Sequence, residues 1–113
     1  MKVYISGPVT GTTDYKERFE NAERMLNESV SENTDEQIVA VNPIKITEHM
    51  PEDTTWAQYM DIAIAAMKAC DAIYVLKGWS NSKGAKIEVL YAMGCGMKIA
   101  FEDGCMAEEV EDR

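Results

Sequence analysis

The sequence predicts a small doubly wound α/β domain: a parallel sheet of four to five strands with helices on both faces. Three observations lead there. Short apolar runs, "KVYIS", "IVAVNP", "AIYVL" and "MKIAF", recur along the chain. Segments with helical periodicity separate them, an alternation that requires parallel strands joined by helical crossovers. The runs are apolar nearly throughout, as strands covered on both faces read.

Taken in order, "KVYIS" (2–6) is a β-branched and aromatic run closed by "GPVTG", whose glycines and proline mark a turn. Asp14 is placed to cap a helix whose apolar positions Tyr15, Phe19, Ala22, Leu26 and Val30 recur every three or four residues. "SENTDEQ" (31–37) is polar and reads as a loop. "IVAVNP" (38–43) is a second buried strand stopped at Asn42-Pro43, since proline cannot continue a ladder. "IKITEHMPEDTT" holds at most a short helical turn before Pro51. Thr54 or Thr55 then caps a helix with Trp56, Tyr59, Met60, Ala63, Met67 and Cys70 along one face. "AIYVL" (72–76) is the third strand, "SKGAKIEVLYAMGCG" a helix ended by glycine, and "MKIAF" (97–101) the fourth strand. Residues 1–101 therefore form one domain. The segment 102–113, with six acids and one arginine, reads as a solvated acidic tail.

Composition excludes several classes of function. A chain of 113 residues can bury one core. Its net charge of −9 argues against a nucleic-acid polymer as partner, because such binding draws on Lys and Arg to neutralise phosphates. One small nucleotide in a pocket remains compatible with that charge. No run approaches the roughly 20 apolar residues of a membrane span, and the N-terminus enters a strand directly, so a cytoplasmic protein without a membrane partner is expected. Cys70, Cys95 and Cys105 fit no metal-ligand spacing and read as buried thiols in a reducing compartment. No metal or organic cofactor is implied. His49 reads as a surface residue, and the eight methionines mostly as core filler.

In a doubly wound fold, ligands bind beyond the carboxyl ends of the strands. That rule gathers three loops: "SGPVTG" with Ser6, Gly7 and Pro8, "NPIK" with Asn42, and "KGWSNSKGA" with Trp79, Ser82 and Gly84. Glu88 follows in the first turns of the next helix. Gly84 and Ala85 let backbone approach a ligand closely, Ser82 offers a hydroxyl, and a helix N-terminus favours either an ionised Glu88 or a bound phosphate. Asp61, between apolar neighbours on a largely buried helix, supplies a second carboxylate. Two carboxylates in one pocket, one nucleophilic, match retaining glycosyl transfer. Plainer readings stand beside these. Glu88 could be a surface partner of the helix dipole, Asp61 an exposed polar position, "SGPVTG" a simple turn, and Trp79 a cover over the sheet end.

The order and spacing of "KVYISGPVTG", "VNP", "W..YM..AI..M..CDAIYVL.GW" and "S.GA..E...A...G" resemble the nucleoside 2-deoxyribosyltransferase superfamily, in particular its short branch called DUF4406. The resemblance runs from Lys2 to about Phe101. It implies a flavodoxin- or Rossmann-like sheet, a homo-oligomer with sites near subunit interfaces, and cleavage of an N-glycosidic bond to deoxyribose. By the same resemblance Glu88 matches the nucleophile, Asp61 the aspartate that handles the base's proton, and Tyr4 the tyrosine that orients the nucleophile. Where the transferases carry an aspartate against the sugar 5′-hydroxyl, this chain has Ser82. A hydroxyl there admits a 5′-phosphate, as in the similar 2′-deoxynucleoside 5′-monophosphate N-glycosidases. The chain is also short at its C-terminus, where the transferases complete their pocket.

The expectation is an enzyme acting on a deoxynucleoside or its 5′-monophosphate. Ser6, Gly7, Ser82 and Gly84 would hold the 5′ end, and Trp79 would cover the base. A nucleotide-binding module that senses or sequesters without turnover is the alternative.

Overall fold

The computed structural model describes residues 1–29 and 36–104. Along them run β1 (Lys2–Ser6), α1 (Tyr15–Asn27), β2 (Val39–Val41), α2 (Pro43–Thr47), α3 (Trp56–Lys68), β3 (Ala72–Val75), α4 (Lys83–Gly94) and β4 (Lys98–Phe101). Every pairing is parallel and the strand order is β2-β1-β3-β4. Tyr4 of β1 stands between Val41 of β2 and Ile73 of β3, so β1 is an inner strand.

The two-residue period of β1 divides the core. Val3 and Ile5 pack with Phe19, Ala22 and Leu26 of α1 on one face. Tyr4 packs with Ala63 and Met67 of α3 and with Ala85, Val89 and Ala92 of α4 on the other. Right-handed crossovers require this split. The chain leaves β1 toward β2, returns across β1 to β3, and continues outward to β4. The direction of winding thus reverses between β1 and β3, the point at which such a sheet opens a crevice at its carboxyl ends.

The helix ends follow local chemistry. Thr55 and Gln58 form a reciprocal capping box at α3, with Gln58 N–H donating to Thr55 Oγ1 at 3.1 Å and Thr55 N–H to Gln58 Oε1 at 2.8 Å. Ser82 caps α4, its Oγ accepting the Ala85 N–H at 3.3 Å. Gly96, at φ 72°, ends α4. Its N–H reaches the Met93 carbonyl, and Met97 N–H reaches that of Ala92, the reverse turn that a left-handed residue permits. Asp14 precedes α1 as expected, yet its side chain makes no cap bond.

Several expectations need correction. β2 ends at Val41, because Asn42 caps α2, its Oδ1 accepting Ile44 N–H at 3.0 Å, and Pro43 opens that helix. β2 pairs only with β1 among the described residues, which leaves Val39 53% exposed, so it is an edge strand and not a buried one. Trp79 is not an open ligand cover: it is 8% exposed and packs against Phe101 with ring centroids 5.6 Å apart. Glu102, assigned to the tail, is tied down. Its N–H donates to the Val75 carbonyl, and its carboxylate accepts Lys77 N–H at 2.8 Å beside Arg18. Cys70 is half-buried but Cys95 is exposed. Val30, most of "SENTDEQ", Cys105 and the tail from 105 onward lie outside the described residues. Among the described residues, no helix is long and apolar enough to cross a membrane. His49 is exposed, as expected.

Gly7 ends β1 where the backbone passes close to β3. A Cβ there would sit 2.9 Å from the Leu76 Cβ, inside the packed core. Gly7→Ala should therefore cost about 1–3 kcal/mol of overpacking. Urea unfolding checks this; an unchanged midpoint would show that Leu76 yields without strain.

Candidate active site

Tyr4 and Ser6 lie two apart on β1 and therefore project to the same face of the sheet. On α4, Ala85, Glu88, Val89 and Ala92 form the buried stripe, at the three- and four-residue spacing of a helix facing the core. Glu88 is the one charged side chain in that stripe and is 6% exposed. The strand and the helix meet there. Tyr4 Oη donates to Glu88 Oε2 at 2.6 Å, and Ser6 Oγ donates to Glu88 Oε1 at 2.6 Å.

Both bonds are at the short end for hydroxyl–carboxylate pairs, as charge assistance produces. Burial pushes the Glu88 carboxyl above its usual value, while the two hydroxyls pull it back, and burial prevails. The Tyr4 hydroxyl is driven well above the usual phenol range by its own burial and by the adjacent carboxylate, so it remains a donor. Each Glu88 oxygen accepts one hydroxyl and keeps a second lone pair.

That carboxylate faces a cavity of about 880 Å³ at the carboxyl ends of the strands. Gly7 and Tyr4 of the β1 end, Ser82 and Gly84 at the start of α4, and Trp56, Tyr59 and Met60 of α3 all line it. Two lysines, Lys16 from α1 and Lys83 from α4, reach it from different walls. A Cβ at Gly84 would come 3.2 Å from the Met60 sulfur, so the first turn of α4 lies hard against α3.

The predicted residues therefore divide. Glu88, Tyr4, Gly7, Ser82 and Gly84 come together at this cavity. Ser6 is 1% exposed and holds Glu88 from behind instead of lining the space. Pro8 is buried outside the lining. Asn42 serves the chain: it caps α2 and its Nδ2 donates to Glu23 Oε1 at 3.2 Å. Trp79 belongs to the core. Asp61 is exposed and borders a separate shallow hollow with Asp53 and Gln58, so within one chain the two carboxylates do not share a pocket. The physical reason is helical phase. Trp56, Met60 and Ala63 of α3 face the cavity, and Asp61, about 100° round from Met60, is turned away from it.

Trp56, Tyr59, Met60, Lys16 and Lys83 are lining residues that the sequence reading placed elsewhere or passed over. The signal available was the face of α3 on which Trp56, Tyr59 and Met60 precede the buried Ala63 and Met67.

A family model described as a domain of unknown function, DUF4406, matches residues 1–101, and the chain belongs to that family. No curated protein and no solved structure matches it.

Tyr4→Phe and Ser6→Ala each remove one donor to the ionised carboxylate. Each should raise the Glu88 pKa further, because burial then goes less opposed. Carbon-13 NMR titration of the glutamate carboxyls reads this directly, and an unmoved or lowered value in both variants would mean the hydroxyls do not stabilise the charge.

Proposed function

We propose that this DUF4406 domain cleaves the N-glycosidic bond of a 2′-deoxynucleoside, and preferentially of its 5′-monophosphate, through a covalent deoxyribosyl ester on Glu88. The observation that carries the reading is the buried Glu88 carboxylate, held on both oxygens by Tyr4 and Ser6 and open to the cavity. Buried carboxylates with fixed orientation and a raised pKa concentrate at sites of chemistry. The resemblance of the chain to nucleoside 2-deoxyribosyltransferases supplies the substrate class.

In this route a Glu88 oxygen bonds to C1′ as the C1′–N bond breaks, through an oxocarbenium-like transition state. The two hydroxyls fix the angle of attack and spread the carboxylate charge without neutralising it. The bonding pair leaves with the base, which takes a proton from solvent. Water or the nitrogen of a second base then bonds to C1′ and loses a proton as the ester bond breaks and frees Glu88. Gly7, Ser82 and Gly84 would hold the 5′ end. Ser82 Oγ accepts an amide in capping α4, which leaves its own proton available to a phosphate oxygen. The route requires neither metal nor organic cofactor. A homo-oligomer in the cytoplasm is part of the same proposal.

The placement of Asp61 favours a second reading. The carboxylate expected to manage the base's proton borders a different hollow, so the pocket of a single chain suits a module that binds a nucleotide without turning it over.

Free base, followed by chromatography across deoxynucleosides and their monophosphates, separates the two. The enzyme reading expects release to rise with pH through the raised Glu88 value, since only the ionised carboxylate attacks. Glu88→Gln should lower release by at least about a thousandfold, and a denatured wild-type sample caught in turnover should carry the added sugar mass. Tight binding with neither base nor adduct would leave the binding module as the function.

Ser82→Asp keeps a good helix cap but brings a carboxylate to the 5′ end. Two like charges about 4 Å apart repel by roughly 4 kcal/mol at an effective dielectric of 20. A quarter of that, after solvent screening, would shift the preference for monophosphate over nucleoside by about fivefold. An unchanged ratio of specificity or dissociation constants would remove Ser82 from the phosphate site.

A further inference from the structure

Lys83 opens α4, five residues before Glu88, and it is placed unusually. Its Nζ lies 4.5 Å from the centroid of the Trp56 ring. Lys45 is the one lysine with an ion pair among the described residues, so what sets Lys83 apart is its ring contact at the cavity. In a chain of net charge −9, a cation resting on a ring when carboxylates abound is a cation with no committed partner. Trp56 is 43% exposed, and both side chains line the cavity that Glu88 faces.

An exposed cation–π contact is weak, and a charge-assisted hydrogen bond to a phosphate is considerably stronger. The indole and an incoming anion therefore compete for one ammonium, and the anion wins. We propose that Lys83 selects for an anionic ligand: it transfers from the Trp56 face to the ligand's phosphate, and the vacated indole becomes an apolar wall against the rest of the ligand. The family resemblance includes Trp56 in a motif but gives neither residue a role. The inference rests on the nucleotide reading above for the identity of the ligand, a nucleoside 5′-monophosphate.

The design of the molecule supplies its own reporter. The chain has two tryptophans, and Trp79 is locked in the core against Phe101, so a ligand-induced change in indole emission reports Trp56. Dissociation constants for a 2′-deoxynucleoside 5′-monophosphate and for its nucleoside are measured by fluorescence and by equilibrium dialysis. The full chain is compared with Lys83→Met, Lys83→Arg and Lys16→Met. The wild type should prefer the monophosphate. Lys83→Met, which keeps the aliphatic stem, should weaken the monophosphate about tenfold, the size of one charge-assisted hydrogen bond, and leave the nucleoside unchanged. Lys83→Arg should retain most of the preference. If Lys83→Met keeps the wild-type ratio, or if only Lys16→Met abolishes it, the anion lies against another wall and the inference is overturned while the nucleotide reading stands. If neither ligand binds the wild type, the nucleotide reading fails and takes the inference with it.

Discussion

The pair of hydrogen bonds from Tyr4 and Ser6 to Glu88 joins the central strand to the helix that follows β3. Everything at the candidate site takes its position from that junction. A carboxylate at the edge of a packed core is costly to bury unless its oxygens find donors. Here both donors come from one face of one strand, so the strand's pleat sets where the charge sits. Burial still leaves the folded value raised. Glu88 therefore holds its proton to higher pH in the folded chain than in the unfolded one. Its contribution to stability is present at low pH and is lost as pH rises from the ordinary carboxylate range through the raised value. A charge retained at the expense of stability is the mark of a site kept for something other than folding.

The topology does the rest. With β1 and β3 adjacent and their crossovers going opposite ways, the loop after β1 and the start of α4 leave a space at the carboxyl edge. The space between them is floored by Tyr4 and walled by α3 and by the first turn of α4. The same reversal assigns α1 to one face and α3 with α4 to the other. Two hydrophobic clusters flank the sheet, and the cavity opens at its carboxyl edge.

Much of this was legible in the sequence. Apolar strands alternating with amphipathic helices specify the doubly wound class. The helix stripe of Ala85, Val89 and Ala92 already turns position 88 inward, and the loops after β1 and β3 locate the crevice. What failed to show was side-chain direction where two periods compete. The apolar neighbours of Asp61 mislead: Ile62 points about 100° away from it, and Ile64, three residues on, is itself only half-buried. In the sequence Trp79 reads as a loop residue. The 3-10 turn it begins, Trp79–Asn81, folds the ring back under the sheet end onto Phe101, a contact between residues 22 positions apart in sequence. Asn42 lies in a loop beyond a strand's carboxyl end, where the fold class expects ligand, but the helix beginning at Pro43 claims its side chain.

The parallel sheet also has a practical polarity. The four strands of the described residues all point the same way, so the chain leaves β4 at Phe101 on the cavity's edge of the sheet, while Lys2 begins β1 at the opposite edge. The Glu102 carboxylate, bonded to Lys77 N–H and beside Arg18, fixes the direction of departure. Anything genetically joined after residue 113 is therefore anchored through that rim, within reach of the cavity's mouth. A label, tether or affinity handle joined ahead of Met1 emerges on the far side of the molecule and leaves the mouth clear.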